Sequence, residues 1–242
     1  MGPPVRVLGY NIRSLRDDPA AVARVVRALA PDVVCLQEVP RFRGWRGRRR
    51  ALARDCGLRV VAGRRAAGLA VLAAPRVRGL AREFHLLSRV PGLHRRALAV
   101  AVLEIPEPDG RDGPPGRLIA ASTHLDLADG PRREHTGQVI ALLDRAGRRH
   151  DAPVVLAGDV NEEPGGASWT LLTGRFQDAR AVAPVGLEET FSARDPRRRI
   201  DGVFLDPAIG VVGCGVPDDA ALRADYLAAT DHRPVVADLR LP

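Results

Sequence analysis

The chain has 242 residues, of which 45% are hydrophobic, so it is long enough to bury a core as one large α/β domain. No apolar run approaches the roughly 18 residues that cross a bilayer, and the N-terminus lacks the charged start and apolar stretch of a signal peptide. Three separated cysteines without a CxxC pair argue against a disulfide framework or a zinc site. We therefore expect a cytoplasmic monomer with no transmembrane segment.

The formal net charge of +8 would by itself suggest a nucleic-acid partner. The chain contains no lysine, however, so every basic side chain other than histidine is arginine. Together with abundant alanine, glycine and proline, this bias is typical of GC-rich coding. The charge therefore supports an anionic substrate only weakly.

A strand, a helix and a second strand are predicted in the first 40 residues. Residues 5–10 form a β-rich run that ends at Asn11, and a helix begins at Pro19. Residues 33–36 form the second strand, which ends at Glu38. This βαβ spacing predicts parallel neighbours, which would bring Asn11 and Glu38 to the same edge of the sheet.

Residues 41–50 are rich in arginine and include Phe42 and Trp45. Arginines interleaved with aromatic rings can hold phosphates or stack on bases. The alternative, which we favour, is a solvated basic helix face that continues into a helix around residues 51–55. Arg46 is the member of this stretch that we include among the candidate substrate-binding residues.

The rest of the chain continues as strands separated by loops and two helices. We predict strands at residues 58–62, 69–73, 77–87, 98–105, 118–123, 154–156, 197–205, 209–212 and 234–239, helices at 132–149 and around Trp169, and a surface loop at 107–116. His85 and His94 have no evident partners. No linker, repeat or change of composition divides the chain, so residues 1–242 are predicted to form a single domain.

Polar residues stand at the ends or starts of many of these buried strands. Burying so many of them without partners would be costly, so we expect them to converge. The set is Asn11, Glu38, His124, Asp159, Asn161, Asp201, Asp231 and His232. Its oxygen ligands suit Mg²⁺ or Mn²⁺ rather than structural zinc. Asp159 and Asn161 also fit a general base beside a neutral hydrogen-bond donor, although turn chemistry alone would explain that pair.

Six segments in this order resemble the endonuclease/exonuclease/phosphatase superfamily. They are residues 10–12 (YNI), 32–39 (DVVCLQEV), 122–125 (STHL), 156–161 (LAGDVN), 199–204 (RIDGVF) and 230–235 (TDHRPV). The resemblance runs from about residue 5 to about residue 240. It implies an α/β fold, a four-layer α/β sandwich in which two mixed β-sheets pack face to face with helices outside. It also implies a metal-dependent phosphoesterase.

The resemblance implies a metal site built from three residues. Glu38 would be the main ligand, supported by Asn11 and Asp231, and the cofactor would be Mg²⁺, with Mn²⁺ as the alternative. A divalent cation acts on phosphate esters as a Lewis acid and as a template.

The same resemblance implies roles for five catalytic residues. Asp159 would orient or deprotonate the attacking water, and Asn161 would hold a phosphate oxygen. His232 would contact the scissile phosphate, with Asp201 fixing and charging its ring. His124 would be a second phosphate-binding imidazole that assists the leaving group.

Two positions depart from the family pattern, and residues 10–12 (YNI) resemble the branch of the family that handles lipid head groups, inositol phosphates or other small diesters. Gly202 stands where many members have a tyrosine, and Arg13 stands where abasic-site nucleases have an acidic residue or glycine. The candidate substrate-binding residues are Arg95, Arg96, Arg13 and Arg46. We expect a Mg²⁺-dependent phosphoesterase that hydrolyses a phosphodiester or phosphomonoester. The alternatives are an endo- or exonuclease acting on DNA or RNA, and a non-catalytic, arginine-rich nucleic-acid-binding protein.

Overall fold

A computed structural model describes residues 2–107 and 113–242. Within these ranges the chain forms strands β1 Pro4–Asn11, β2 Val33–Gln37, β3 Arg59–Ala62, β4 Ala70–Ala73, β5 Arg78–Leu86, β6 Ala97–Ile105, β7 Gly116–His124, β8 Val154–Asp159, β9 Gln177–Asp178, β10 Asp201–Leu205, β11 Gly210–Gly215 and β12 Val235–Arg240. The helices are α1 Pro19–Leu29, α2 Trp45–Asp55, α3 Asp129–His150, α4 Ala167–Thr173, α5 Ala179–Val182 and α6 Arg223–Ala229.

The strands build two six-stranded sheets, in the orders β11-β12-β1-β2-β4-β3 and β5-β6-β7-β8-β10-β9. Each sheet is mixed, because β1 and β2 are parallel, as are β7 and β8, whereas the other neighbours are antiparallel. The predicted four-layer α/β sandwich is therefore confirmed.

Alternation along β1 shows how the sequence builds the layers. Val5 and Val7 point into the core between the sheets, and Leu8 and Tyr10 point into the core under the helices. This follows from the period of two along a strand. α1 and α6 cover the first sheet, and α3 and α4 cover the second. Among the described residues, no helix is both long and apolar enough to cross a membrane.

Helix α1 follows the sequence signals closely. Asp18 caps it by accepting a hydrogen bond from the Ala20 N–H at 2.8 Å, and Pro19 occupies the first turn. The helix ends at Leu29, where Ala30 adopts a left-handed conformation with φ 45°.

Other elements depart from the sequence prediction. α2 begins at Trp45, six residues before the predicted start at residue 51. The sequence does not predict β9, α5 and α6, which have two, four and seven residues and show no clear hydrophobic period. Most of the predicted loop at 107–116 lies outside the described residues.

One side chain links the two sheets directly beneath the strand ends. Gln37 Nε2 donates to Ser122 Oγ at 2.9 Å and lies 3.3 Å from the Ala157 carbonyl oxygen, so it contacts both β7 and β8. Ser122 Oγ in turn donates to the Leu36 carbonyl at 3.0 Å. This buried bridge fixes the end of β2 against the second sheet and so fixes the distance between the two halves of the strand-end cluster.

A glycine allows β7 and β8 to approach closely beside the cluster. A Cβ on Gly158 would lie 2.6 Å from the Thr123 carbonyl oxygen, whereas one on Gly137 in α3 would meet nothing within 4 Å. We expect Gly158→Ala to lower the free energy of unfolding by about 1–3 kcal/mol through overpacking. The matched control, Gly137→Ala, should raise it by about 1 kcal/mol because alanine favours the helix. Denaturant unfolding monitored by circular dichroism measures both; equal effects would contradict this account.

Candidate active site

The predicted polar residues meet at one end of the two sheets. In the parallel pair β1–β2, Asn11 lies opposite Gln37, so Glu38 follows at the same edge. In the parallel pair β7–β8, His124 lies opposite Asp159. β10 runs antiparallel to β8 and begins there, placing Asp201 opposite Asp159. The convergence expected from the βαβ spacing is thus present.

Asp159 is the centre of this cluster and is only 1% exposed. Its Oδ2 accepts a hydrogen bond from Asn11 Nδ2 at 3.0 Å and lies 3.5 Å from His124 Nε2 and 3.7 Å from His232 Nε2. Its Oδ1 accepts the backbone N–H of Asn161 at 3.0 Å. One carboxylate therefore contacts two imidazoles and two amide groups.

His232 and Asp201 form a buried pair. His232 Nδ1 lies 2.9 Å from Asp201 Oδ2, and the Phe191 ring packs on the imidazole with centroids 4.9 Å apart. Burial opposes a charge on His232, but the carboxylates of Asp201 and Asp159 outweigh it and raise the pKa of His232 to about 10. Thr190 Oγ1 accepts the Asp201 N–H at 3.2 Å and so holds the start of β10.

His124 has the opposite proton affinity. Burial lowers the pKa of His124 to about 3; Asp159 raises it, and the positive charges of Arg96 and His232 lower it further. At neutral pH the site therefore places a neutral and a charged imidazole on the two sides of the same carboxylate. A neutral ring keeps one donor and one acceptor nitrogen, whereas the charged ring has two donors.

Glu38 and Asn161 have left-handed backbones, with φ 50° and 56°. Such conformations are uncommon for residues other than glycine and cluster at functional sites. The Glu38 carbonyl accepts the Ser14 N–H at 2.7 Å, which holds the turn after β2. Asn161 Nδ2 donates to the Leu125 carbonyl at 3.0 Å, so the amide is tied to the segment that follows His124.

The arrangement of Glu38 and Asp159 fits a bound cation. Asn11 Nδ2 donates to Glu38 Oε1 at 3.3 Å as well as to Asp159, so two carboxylates share one neutral donor. Like charges held this close are stabilised by a positive ion. Carboxylate oxygens are ligands that Mg²⁺ prefers, whereas Asn11 turns its Nδ2 to the two carboxylates and its Oδ1 accepts the Arg13 N–H. Glu38, with Asn11 beside it, can therefore hold a divalent cation.

A second group, Asp159, Asp201 and His232, presents potential ligand atoms within 4.8 Å of one another. These three residues are already explained by the His232–Asp201 hydrogen bond and by the charge on the imidazole. The described residues therefore offer two places that could hold a cation, this group and Glu38.

Asp231 is held by its neighbours. Its Oδ1 accepts a hydrogen bond from Thr230 Oγ1 at 3.2 Å, and its Oδ2 lies 3.4 Å from Arg13 Nε. Arg13 also contacts Asp17 at 3.4 Å, and its backbone N–H donates to Asn11 Oδ1 at 3.1 Å. Arg13, predicted to bind substrate, thus lies beside the predicted metal ligands.

A cavity of about 520 Å³ opens onto the cluster. Its walls include the catalytic candidates Glu38, His124, Asp159, Asn161 and His232 and the basic residues Arg16, Arg41, Arg95 and Arg96. Two of the four predicted substrate-binding arginines, Arg95 and Arg96, therefore line it. Arg46 instead lines a neighbouring groove, with its guanidinium 4.7 Å from the Trp45 ring.

Sequence reasoning missed a buried network behind Arg96. Arg96 Nε donates to Asp126 Oδ1 at 3.0 Å, and Asp126 Oδ2 lies 2.7 Å from His135 Nδ1. His135 Nε2 then contacts the Ser88 carbonyl at 3.0 Å. Arg96 also lines the catalytic cavity, so this network holds a charged side chain at the cavity wall. Asp126 directly follows the 122–125 motif that contains His124. This position is the one signal in the sequence that points to Asp126.

The departure at Gly202 has a local cause. A Cβ there would lie 2.8 Å from the Phe204 ring and 3.0 Å from the Trp169 ring. These two rings form an edge-to-face pair with centroids 5.0 Å apart. The space that a side chain would need is thus already occupied. The three cysteines are buried, and burial raises the pKa of each thiol to about 12, so none is a nucleophile at neutral pH.

A family model described as the Endonuclease/Exonuclease/phosphatase family matches residues 8–232. No curated protein matches the sequence significantly. An endonuclease/exonuclease/phosphatase family protein from Bacteroides thetaiotaomicron is 17% identical, with a TM-score of 0.83 and coverage of 100% of this chain and 99% of that chain.

Two further solved structures share the fold. A mannosyl-6-phosphatase from the same organism is 18% identical, with a TM-score of 0.80 over 97% of this chain and 99% of that chain. D. rerio TDP2, complexed with single-strand DNA product, is 17% identical, with a TM-score of 0.69 over 98% of this chain and 99% of that chain.

Proposed function

The chain belongs to the Endonuclease/Exonuclease/phosphatase family, and we propose that it is a Mg²⁺-dependent phosphoesterase that hydrolyses phosphate esters by attack of an Asp159-activated water. The observation that carries this proposal is the position of Asp159 Oδ2 between the imidazoles of His124 and His232, with the Asn11 amide donating to it. A non-catalytic binding protein has no need of such a group. The cytoplasmic location, the monomeric state and the single domain stay predictions.

Hydrolysis of a phosphate ester needs a base for the water and compensation for the negative charge on phosphorus. Asp159 Oδ2 accepts the proton from the attacking water. The charged His232 donates a hydrogen bond to a phosphate oxygen, and Asp201 holds its ring in place. Asn161 supplies a neutral donor to a second oxygen. His124 lies on the other side of Asp159, where its ring N–H donates a hydrogen bond to the phosphate or to the departing oxygen.

Glu38 would be the main ligand of the divalent cation, with Asn11 and Asp231 beside it. When bound, the cation supplies Lewis-acid stabilisation of the phosphate charge. The chain's own residues prepare this place by holding Glu38 in its left-handed turn and by setting Asn11 between Glu38 and Asp159. Mn²⁺ has a similar ligand preference and is the expected substitute.

Two of the structural neighbours suggest reaction types for this site. One of them is a mannosyl-6-phosphatase, which indicates a monoester, and another holds single-strand DNA product, which indicates a diester. The cavity of about 520 Å³ admits either a sugar phosphate or one nucleotide. We assign the chain to phosphodiester hydrolysis and keep monoester hydrolysis as the second candidate.

The deciding experiment measures hydrolysis of bis-p-nitrophenyl phosphate, p-nitrophenyl phosphate, RNA and single-stranded DNA with Mg²⁺ or Mn²⁺. Chelation by EDTA is expected to remove at least about 99% of the turnover, which added Mg²⁺ restores, because the cation supplies several kcal/mol of charge stabilisation. Glu38→Gln should require more Mg²⁺ for half-maximal activity. Turnover that persists in EDTA would refute the metal dependence. Turnover of monoesters alone would select the second candidate.

The network behind Arg96 yields a further prediction. Asp126→Asn removes the counter-charge that holds the Arg96 guanidinium at the cavity wall. We expect KM for bis-p-nitrophenyl phosphate to rise about tenfold, the scale of one charge-assisted hydrogen bond, with kcat changed much less. The control is Glu134→Gln, which alters the far end of the same network at Ser88. Steady-state kinetics that show equal KM values in both variants would contradict a positioning role for Asp126.

A further inference from the structure

A second and larger cavity lies beside the catalytic one and collects arginines from four separate parts of the chain. Arg46 and Arg50 come from α2, Arg64 and Arg65 from the segment between β3 and β4, Arg82 from β5 and Arg145 from α3. We call this cavity the arginine groove. Its volume is about 1230 Å³, which exceeds the roughly 300–1,000 Å³ of a small-molecule pocket. The groove therefore suits an elongated ligand.

The arginine groove gathers, from the part of the chain that the structure describes, six arginines and a single carboxylate, that of Glu83. Some arginines elsewhere on the surface form ion pairs, as in Arg24–Asp225 and Arg78–Glu104. Among the described residues, none of the groove's six arginines has an ion-pair partner. The groove therefore carries a net positive charge, because six guanidinium groups and one carboxylate line it.

Glu83 is the carboxylate that lines the arginine groove, and it is already occupied. His85 Nε2 lies 2.8 Å from Glu83 Oε2, and His150 Nε2 lies 2.8 Å from Glu83 Oε1. His85, which had no evident partner in the sequence, is thus paired with Glu83. One carboxylate cannot balance six arginines, so the groove is positive and the ligand that complements it is a polyanion.

The arginine groove joins the catalytic cavity. Arg65 Nε donates to the Arg41 carbonyl at 3.1 Å, and Arg41 lines the catalytic cavity. Ala66 lines the groove and Ala67, the next residue, lines the catalytic cavity, so the two spaces share a wall. Phe42, the residue after Arg41, lines the catalytic cavity and is 66% exposed. A chain that leaves the catalytic cavity at Phe42 can therefore enter the groove directly.

Aromatic rings accompany the arginines along the path. Trp45 and Phe84 line the groove, and the Trp45 ring lies 4.7 and 4.6 Å from the guanidinium groups of Arg46 and Arg49. Arg49 is buried and donates to the Pro40 carbonyl at 2.8 Å, so it anchors the ring. Arginines for the backbone and rings for the bases are the combination used to bind single strands.

We propose that the arginine groove binds single-stranded nucleic acid. The phosphodiester that adjoins the bound part of the strand then lies at Asp159. This inference rests on the proposed function for its account of cleavage, but the binding itself does not. It identifies the substrate as a polynucleotide strand rather than a free sugar phosphate. It also places the strand, which runs past Phe42 and continues beside Trp45.

The test measures binding separately from hydrolysis. Fluorescence anisotropy with a labelled oligothymidylate of about 20 nucleotides, in EDTA, reports the affinity at salt concentrations between about 50 and 200 mM. The double variant Arg64→Gln/Arg82→Gln removes two contacts with phosphates of the strand. It should lower the affinity about 25-fold at about 0.1 M salt and reduce the slope of log affinity against log salt concentration by about 1.4.

The matched control is Arg117→Gln/Arg240→Gln, which removes the same charge from the opposite end of the strands. Its affinity should stay within about twofold of the wild type, because it contacts no phosphate. Equal losses of affinity in both double variants would overturn the groove as the binding site, since they would reflect net charge alone. Unchanged affinity in Arg64→Gln/Arg82→Gln would overturn it as well. A duplex of the same length that binds as tightly through these arginines would overturn the assignment to single strands.

Trp45 provides a local readout. Trp169 is buried, so quenching of tryptophan fluorescence by the oligonucleotide should come from Trp45 and disappear in Trp45→Phe. Quenching that survives this substitution would contradict the placement of the strand.

Hydrolysis separates the two proposals. Arg64→Gln/Arg82→Gln should keep the wild-type turnover of bis-p-nitrophenyl phosphate and lose about 25-fold in kcat/KM on the oligonucleotide. A wild-type protein that hydrolyses the small diester but does not bind the oligonucleotide would refute the arginine groove alone. A protein that binds the oligonucleotide through these arginines but hydrolyses no ester would refute the proposed function alone.

Discussion

Asp159→Asn is expected to lower kcat/KM for bis-p-nitrophenyl phosphate about 10³-fold, the scale of a lost general base. Asparagine preserves the shape of the side chain, but it cannot take a proton from water at neutral pH. Asp159 Oδ2 is also the atom that Asn11, His124 and His232 all face, so the substitution removes the charge on which their geometry depends. Initial rates at saturating Mg²⁺, with thermal unfolding of the same samples, measure the effect.

The control for Asp159→Asn is another carboxylate that acts on structure alone. Asp206 Oδ2 accepts the Val154 N–H at 2.7 Å, and its Oδ1 pairs with Arg175 at 2.7 Å, at the start of β8 rather than at its end. Asp206→Asn should lower the free energy of unfolding by about 1–3 kcal/mol and leave kcat/KM unchanged. If Asp159→Asn keeps more than about a tenth of the activity, Asp159 is not the base.

The architecture is largely predictable because long elements carry strong signals. The predicted bounds of β1 and β2 and the predicted start of α1 agree with the structure within one residue, since alternation and capping agree there. The predicted start of α2 is too late because its first turn is mostly arginine and glycine, which gives no apolar period. β9, α5 and α6 are positioned by tertiary packing rather than by their own sequences.

The catalytic cluster is predictable for a different reason. Polar residues at buried strand ends must be paired, and parallel neighbours place those ends together, so the sequence alone groups Asn11, Glu38, His124 and Asp159. It does not reveal the partners of Arg96, because Asp126 and His135 are 30 and 39 residues away and their types are common on surfaces. The arginine groove is hidden for the same reason, since its members come from four separate parts of the chain.

His232→Gln is expected to lower kcat/KM about 10²–10³-fold and also to destabilise the protein. The catalytic loss reflects a charged donor missing from the phosphate. The stability loss follows from the surroundings, because Asp201 and Asp159 are buried on either side of the imidazole. Replacing the charged imidazole by a neutral amide leaves the two carboxylates facing each other. Breaking a buried ion pair in this way costs about 3–5 kcal/mol, which a protein of ordinary stability survives at room temperature.

The two effects separate in a double variant. Asp201→Asn/His232→Gln replaces the charged pair by neutral groups that can still hydrogen bond, so most of the lost stability should return while activity stays as low as in His232→Gln. Urea unfolding and initial rates on the single and double variants complete the cycle. If the double variant recovered activity together with stability, the loss in His232→Gln would be structural. If His232→Gln were as stable as the wild type, the imidazole would not be charged in the folded protein, and the donor role assigned to His232 would fail with it.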